Sequence, residues 1–296
     1  MRGYSVLKGQ FFNQTGPDSL VLDPDFGFSI LASVDATDFD LIKNASVRLP
    51  DGSSKDMDNL GDSWDFLDSF QTAAELNANY GWGKYGIDFT TVNDGTFSCD
   101  INLVETPFPP TPKLTNFADV QAVDPTKRLK IFWEFSEPPK PDDFVQLYVT
   151  IGHDVVVTSP DFGEPGALNG TTVGQIMPAF SLAPDLVYSL NIEITRPAST
   201  NATCYPSGEG IAGTFSSTSI DLTTIFLPVI QLLSGPTNGV ISLQVLGESN
   251  SKIVLQNSID LLTWSNMATN AAASGTNVFK VPVVGPSRGF YRAIVL

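Results

Sequence analysis

The chain has 296 residues, 42% of them hydrophobic, which is ample for packed cores and, at about 100 to 200 residues per domain, for about two or three domains. Thirty-two acidic against 16 basic residues give a formal net charge of -16, a balance that repels nucleic-acid phosphates and anionic lipid headgroups. The longest apolar run, IFLPVIQLL (225–233), falls short of the roughly 18 to 20 residues of a spanning helix and contains Pro228, so neither nucleic-acid binding nor membrane insertion is expected.

The first segment, MRGYSVLKGQFF, lacks the apolar core of a signal peptide. Few lysines and many Asn, Ser, Thr and Gly residues nevertheless suit an exported surface, and an extracellular or cell-surface location is expected. YSVLKGQFF (4–12) is strand-like without an obvious local partner, which makes Tyr4, Val6, Phe11 and Phe12 candidates for strand addition to a neighbouring subunit. GFSILASVD (27–35), ASVRLPDG (45–52), YGIDFTTVNDG (85–95) and TFSCDINL (96–103) read as further strands, with Pro-Asp-Gly as one of the turns. Asp23, Asp25, Asp35, Asp38 and Asp40 put oxygens on loops that a structural calcium ion could use, but they lack the EF-hand pattern, and no cofactor is expected.

GDSWDFLDSF (61–70) sets Asp62, Asp65 and Asp68 among aromatics. If these residues formed a helical turn, Asp65 and Asp68 would lie about 5 to 6 Å apart, the separation of a retaining glycosidase pair. Acidic residues also gather at helix entries, where free N–H groups favour them, and that reading needs no chemistry. TAAELNANYG (72–81) follows, with Thr72 and Glu75 at capping-box spacing and Gly81 as a stop, so one short helix is predicted near 72–80. In ANYGWGKYG (78–86), Tyr80, Trp82 and Tyr85 alternate with glycines; joined by Trp64, they form a candidate stacking platform for a sugar ring.

TPFPPTP (106–112) carries four prolines in seven residues and reads as a stiff polyproline spacer of roughly 20 Å, at about 3.1 Å per residue. Beyond it, RLKIFWEF (128–135), FVQLYVTIG (144–152) and VYSLNIEIT (187–195) alternate apolar and polar residues as half-buried antiparallel strands do. His153, the only histidine, sits at a strand end beside Asp154, there is no G-x-S-x-G elbow, and two cysteines with one histidine match no zinc spacing, so no enzymatic activity is expected. Cys99 shares a face with Phe97, Ile101 and Leu103 and should enter a first core, whereas Cys204 lies in a loop-like stretch of a second module, an arrangement that disfavours a bridge between them.

Leu182, Pro184, Tyr188 and Leu190 stand at the spacing of a tyrosine corner, and with Trp133 on an early strand the middle region resembles a fibronectin type III-like domain. The resemblance implies a β-sandwich and no particular function. The last region carries Ser258, Asp260, Leu261 and Trp264, then Phe290, Tyr291, Arg292 and Ala293, and resembles the small C-terminal β-domain of secreted proteins from environmental bacteria, with its StDLxxW and FYRA segments. That likeness implies export and an all-β fold.

The expected architecture is a tandem array of antiparallel β-sandwiches, immunoglobulin- or fibronectin III-like. Its parts are a first domain (1–105), a linker (106–112), a second domain (113–222) and a small C-terminal domain (226–296). The expected role is structural or adhesive at the cell exterior, with self-association through residues 4–12 and through Ile225, Phe226, Leu227, Val229 and Ile230. The alternative is carbohydrate binding by Trp64, Tyr80, Trp82 and Tyr85.

Overall fold

A computed structural model describes residues 3–38, 40–205, 208–247, 251–272, 275–282 and 289–295. The chain forms two compact units, Met1–Ser181 with Val187–Thr223, and Leu182–Leu186 with Thr224–Leu296.

The first unit begins with β1 (Gly3–Gly16), β2 (Ser19–Leu22), β3 (Phe28–Asp35), β4 (Ile42–Arg48), β5 (Ser54–Asp56), β6 (Asp58–Asn59) and β7 (Ser63–Phe70). The helix α1 (Ala73–Asn79) leads to β8 (Gly83–Thr91), β9 (Thr96–Leu103), β10 (Pro112–Leu114), β11 (Leu129–Phe135) and β12 (Phe144–Ile151). It ends with β13 (Asp154–Thr158), β14 (Leu168–Asn169), β15 (Gly174–Met177), β16 (Val187–Tyr205) and β17 (Gly208–Thr223). The helix has the predicted capping box: Thr72 Oγ1 accepts from the Glu75 amide at 3.2 Å, and Glu75 Oε2 accepts from the Thr72 amide at 3.1 Å.

A ten-stranded sheet organises this unit, in the order β13-β12-β16-β17-β1-β3-β7-β6, with β2 on β1 and β14 on β12. Its centre is a parallel pairing of β1 with β17, flanked by antiparallel neighbours. Aromatic rings and glycines alternate along this seam. Tyr4 lies over its register partner Gly210, and Phe215 over its partner Gly9, so a Cβ at either glycine would collide with the ring.

One face of the sheet carries two sandwich cores. The first is closed by the four-stranded sheet β5-β4-β8-β9 and holds Tyr4, Val6, Ile30, Val34, Tyr85, Ile87 and Phe89. The second takes the alternating buried residues Val145, Leu147 and Val149 of β12, Leu190, Ile192 and Ile194 of β16, and Ile131 and Trp133 of β11 in the sheet β10-β11-β15. The alternation predicted for these strands and the burial of Tyr188 agree with the structure. The fold is all-β and built of sandwich layers, antiparallel except for the β1–β17 pairing, with one short helix.

The division at 106–112 is corrected. Residues on both sides of it share the ten-stranded sheet, and the proline-rich segment is a rib across the sheet's inner face. Prolines 109, 110 and 112 are buried. Thr214 Oγ1, Ser216 Oγ and Thr218 Oγ1 donate to the carbonyls of Pro107, Pro109 and Pro112 at 3.1, 2.6 and 2.6 Å. Proline offers acceptors without a donor, and from Pro107 to Pro109 a polyproline rise of about 6.2 Å per two residues nearly matches the roughly 6.6 Å between alternate residues of one strand face; the step to Pro112 spans three residues. Arg196 adds a clamp, binding Asp143 through two hydrogen bonds of 2.8 and 2.7 Å and reaching the Pro107 carbonyl at 3.3 Å.

The same correction applies to the cysteines. With β9 packed against the far end of β16, Cys99 and Cys204 are brought together and form a disulfide. The sequence disfavours this bridge only as long as the two residues are placed in separate modules, and the shared sheet removes that separation.

The second unit contains β18 (Val229–Thr237), β19 (Val240–Leu246), β20 (Ser251–Ser258), β21 (Ser265–Ala272), β22 (Thr276–Pro282) and β23 (Phe290–Val295). Two three-stranded sheets, β18-β19-β22 and β21-β20-β23, enclose Leu243, Val245, Ile253, Leu255, Phe279 and Val281. The conspicuous SIDLLTW segment is a self-capped turn. Ser258 Oγ accepts from the amides of Asp260 and Leu261, Asp260 Oδ1 accepts from those of Leu262 and Thr263, and Arg292 of the FYRA segment lies 4.3 Å from the centre of the Trp264 ring. Hydrogen bonds from Thr263 hold the Asp260 carboxyl well below the usual carboxylate range.

Candidate functional site

The proposed stacking platform is not a surface. Tyr85 is fully buried and its hydroxyl donates to the Gly81 carbonyl at 2.8 Å; Tyr80 is buried and donates to Asp68 Oδ2 at 2.7 Å. Trp64, half-buried, donates to the Ile42 carbonyl at 3.1 Å. Trp82 also packs on the first core, and its ring is taken by Lys8, whose Nζ lies 3.7 Å from the centroid and donates to Asn77 Oδ1 at 2.7 Å. Burial pulls the Lys8 ammonium down to about 8. Period-two placement of Trp64, Phe66 and Phe70 turned these aromatics inward.

The carboxylate pair dissolves for the same reason. Residues 63–70 are strand rather than helix, so Asp65 and Asp68, three apart, point to opposite faces. Asp23 caps its own turn through the amides of Asp25 and Phe26 at 2.8 and 2.9 Å. Among the described residues no group of three His, Cys, Asp or Glu side chains is arranged to hold a metal ion. His153 and Asp154 are exposed at the β12–β13 turn.

Of the self-association candidates, β1 is excluded as a donated strand, because it is the paired centre of the ten-stranded sheet and Tyr4 and Val6 lie in the first core. Phe11 packs edge-on against Phe215 at 5.1 Å, and Phe12 is half-buried opposite Leu22. The second group differs. β18 is an edge strand, Ile225 and Val229 are exposed, Phe226 and Leu227 are half-buried, and Ile230 packs on the core of its own unit. Leu232 and Leu233, further along β18, are also exposed.

The feature that sequence reading missed is on the outer face of the ten-stranded sheet. That face is concave: residues of β7 on one flank and of β12 and β13 on the other line a single groove of about 830 Å³. Among the described residues six carboxylates enter its lining, those of Asp35, Asp62, Asp65, Asp161, Glu193 and Glu209, and no Lys, Arg or His does. Tyr148, Phe162, Val155 and Ile211 supply the apolar part. Asp65 Oδ1 is sealed from solvent without a hydrogen-bond partner, Oδ2 accepts a 3.4 Å bond from Ser63, and the Ser33 hydroxyl also acts on the carboxyl. Burial raises the Asp65 carboxyl, and burial raises that of Glu193 to about 7, opposed in part by the 3.2 Å hydrogen bond from Thr195. Desolvation, and after it the Glu193 charge, also raises the Tyr148 phenol. The local trace of this site is the polar residues Ser63, Asp65 and Ser69 on the outward side of β7 and Ser189, Asn191, Glu193 and Thr195 on that of β16; the concavity that gathers them comes from strands distant in sequence.

No family model matches the sequence, and no curated protein matches it either. Solved structures similar to it include a tetra-tandem repeat from the extending region of a large adhesion protein, at 10% identity over 98% of this chain and 74% of that one, with a TM-score of 0.24. Others are the chicken CNTN1 FN1-FN3 domains (12% identity, 99% and 94% coverage, TM-score 0.21) and fibronectin(III)-like modules of Clostridium thermocellum CbhA (14%, 75% and 94%, TM-score 0.20). The fold class stands on the sheets themselves.

Proposed function

We propose that the protein is a non-catalytic structural or adhesive component working outside the cytoplasm. The observation that carries the reading is the Cys99–Cys204 disulfide, which ties β9 to β16 across 105 residues. Such a bond persists in oxidising compartments and is removed in reducing ones. Long shared strands, an inlaid proline rib and a covalent tie suit a rigid part that carries load or presents surfaces. A fractionation of the producing cells, with free thiols alkylated before lysis, tests it. Expected are protein in the envelope or medium and no alkylation at either cysteine; cytosolic protein alkylated at both would overturn the reading.

Self-association is the form of this role that one observation favours. Among the described residues β18 is paired on one side only, with Val229, Leu232 and Leu233 exposed along it, and an exposed apolar edge strand is a template for pairing with another copy. Light scattering on the full chain and on Leu232→Lys is the test. A concentration-dependent oligomer lost in the variant supports edge pairing, and a monomer of 31.8 kDa at all concentrations sinks it.

A further inference from the structure

We propose that the concave outer face of the ten-stranded sheet is a docking groove for an extended, lysine- or arginine-bearing segment of a partner protein. The inference names a partner class for the adhesive reading and rests on it, but its test reads binding alone and can fail independently of where the protein resides.

Charge is the first argument. Three acids elsewhere in the first unit are neutralised within the chain, Asp143 by Arg196, and Asp88 and Asp100 by Arg48. In the groove the carboxylates of Asp62, Asp65, Asp161, Glu193 and Glu209 take part in none of the ion pairs formed among the described residues. Bringing such groups together in a concavity with apolar walls raises the cost of their charge, and an incoming cation relieves it.

The second argument is independent of net charge. Asp65 Oδ1 has neither water access nor a donor. A buried acceptor left without a donor costs about 1 to 3 kcal/mol, more when charged, and a cation in the groove stabilises the Asp65 carboxylate through its field without touching that oxygen.

Shape and chemistry select a peptide. A volume of about 830 Å³ is far more than one amine fills and lies within the roughly 300 to 1,000 Å³ typical of ligand sites. The aromatic faces of Tyr148 and Phe162 beside carboxylates suit the cationic head of a side chain, while Val155 and Ile211 suit an apolar one. β13, which contributes Val155, is the terminal strand of the sheet, so its free edge can hydrogen-bond an extended segment whose alternate side chains then meet the groove.

The test is fluorescence anisotropy of a labelled hexapeptide alternating lysine and valine, titrated with the full chain at near-physiological salt. Expected is saturable binding, weakened at least tenfold in the double variant Asp65→Asn/Glu193→Gln. A control with the same charge change outside the groove, Glu137→Gln/Asp142→Asn, should stay within twofold. Glu193→Gln alone, checked for an unchanged circular dichroism spectrum, should give an intermediate loss should the double variant misfold. Equal losses in groove and control variants would reduce the effect to the general field of an acidic protein and overturn the site. Equal affinity for a lysine–serine peptide and for spermine would overturn the peptide assignment in favour of a small polyamine, and the absence of saturation would overturn the groove altogether.

Discussion

Three side chains show how burial decides a residue's role in this protein. Arg196 and Asp143 form a buried, two-pronged ion pair whose remaining guanidinium hydrogens reach the proline rib. Removing one member strands the other charge, so Asp143→Ala is expected to cost about 3 to 5 kcal/mol, read from denaturant midpoints. Glu193 works in the opposite direction. It faces Gln146 and Tyr148 from β12 and Ser217 from β17, with Thr195 on its own strand and the other groove carboxylates beyond. Folded, it keeps its proton to about pH 7; unfolded, it releases it near 4.5. Between those values the folded state binds more protons, so stability falls as pH rises through the window. Glu193→Gln should therefore flatten the dependence and stabilise the protein by about 1 to 3 kcal/mol at pH 8 while changing little at pH 4, measured by urea unfolding at both.

At the scale of elements, the β1–β17 seam is the most exacting contact. Phe215 lies over Gly9 with no room for a side chain, so Gly9→Val must displace the ring or separate the strands. A loss of about 3 kcal/mol or more is expected, seen as a fall in melting temperature, whereas Gly81→Ala, with open space around it and no left-handed backbone, should cost far less. Local sequence disclosed such strands but not their partners. The alternation of Leu129, Ile131 and Trp133, or of Val145, Leu147 and Val149, is written within a few residues, and so is the Thr72–Glu75 cap. The parallel pairing of Tyr4 with Gly210 has no such signature, and without it the proline segment looks like a spacer and Cys99 looks remote from Cys204. Residues 61–70 misled for another reason. Phe66, Leu67 and Phe70 fit a helical stripe as well as a strand, and only pairing with β3 resolves the ambiguity. The groove was illegible altogether, since its carboxylates come from five separate stretches of chain that only the curled sheet assembles.

For the whole molecule, the disulfide and the shared sheet make one mechanical body of what reads as two domains. Cys99→Ala/Cys204→Ala frees a 105-residue loop in the unfolded state and should destabilise the first unit by about 2 to 4 kcal/mol, with reductant producing a similar shift in the parent protein and none in the variant. The central seam has a further consequence in time. Gln10 bonds Ser216 across 206 residues, so strand β1 leaves the ribosome long before the strand it lies against exists. Contacts of such separation form late, and until then β1 has only β2 and β3 beside it and an open edge on the other side. The order of synthesis thus holds the first unit open until nearly all of it has been made, an interval in which a chaperone or a translocation channel would meet an extended polymer instead of a finished sandwich.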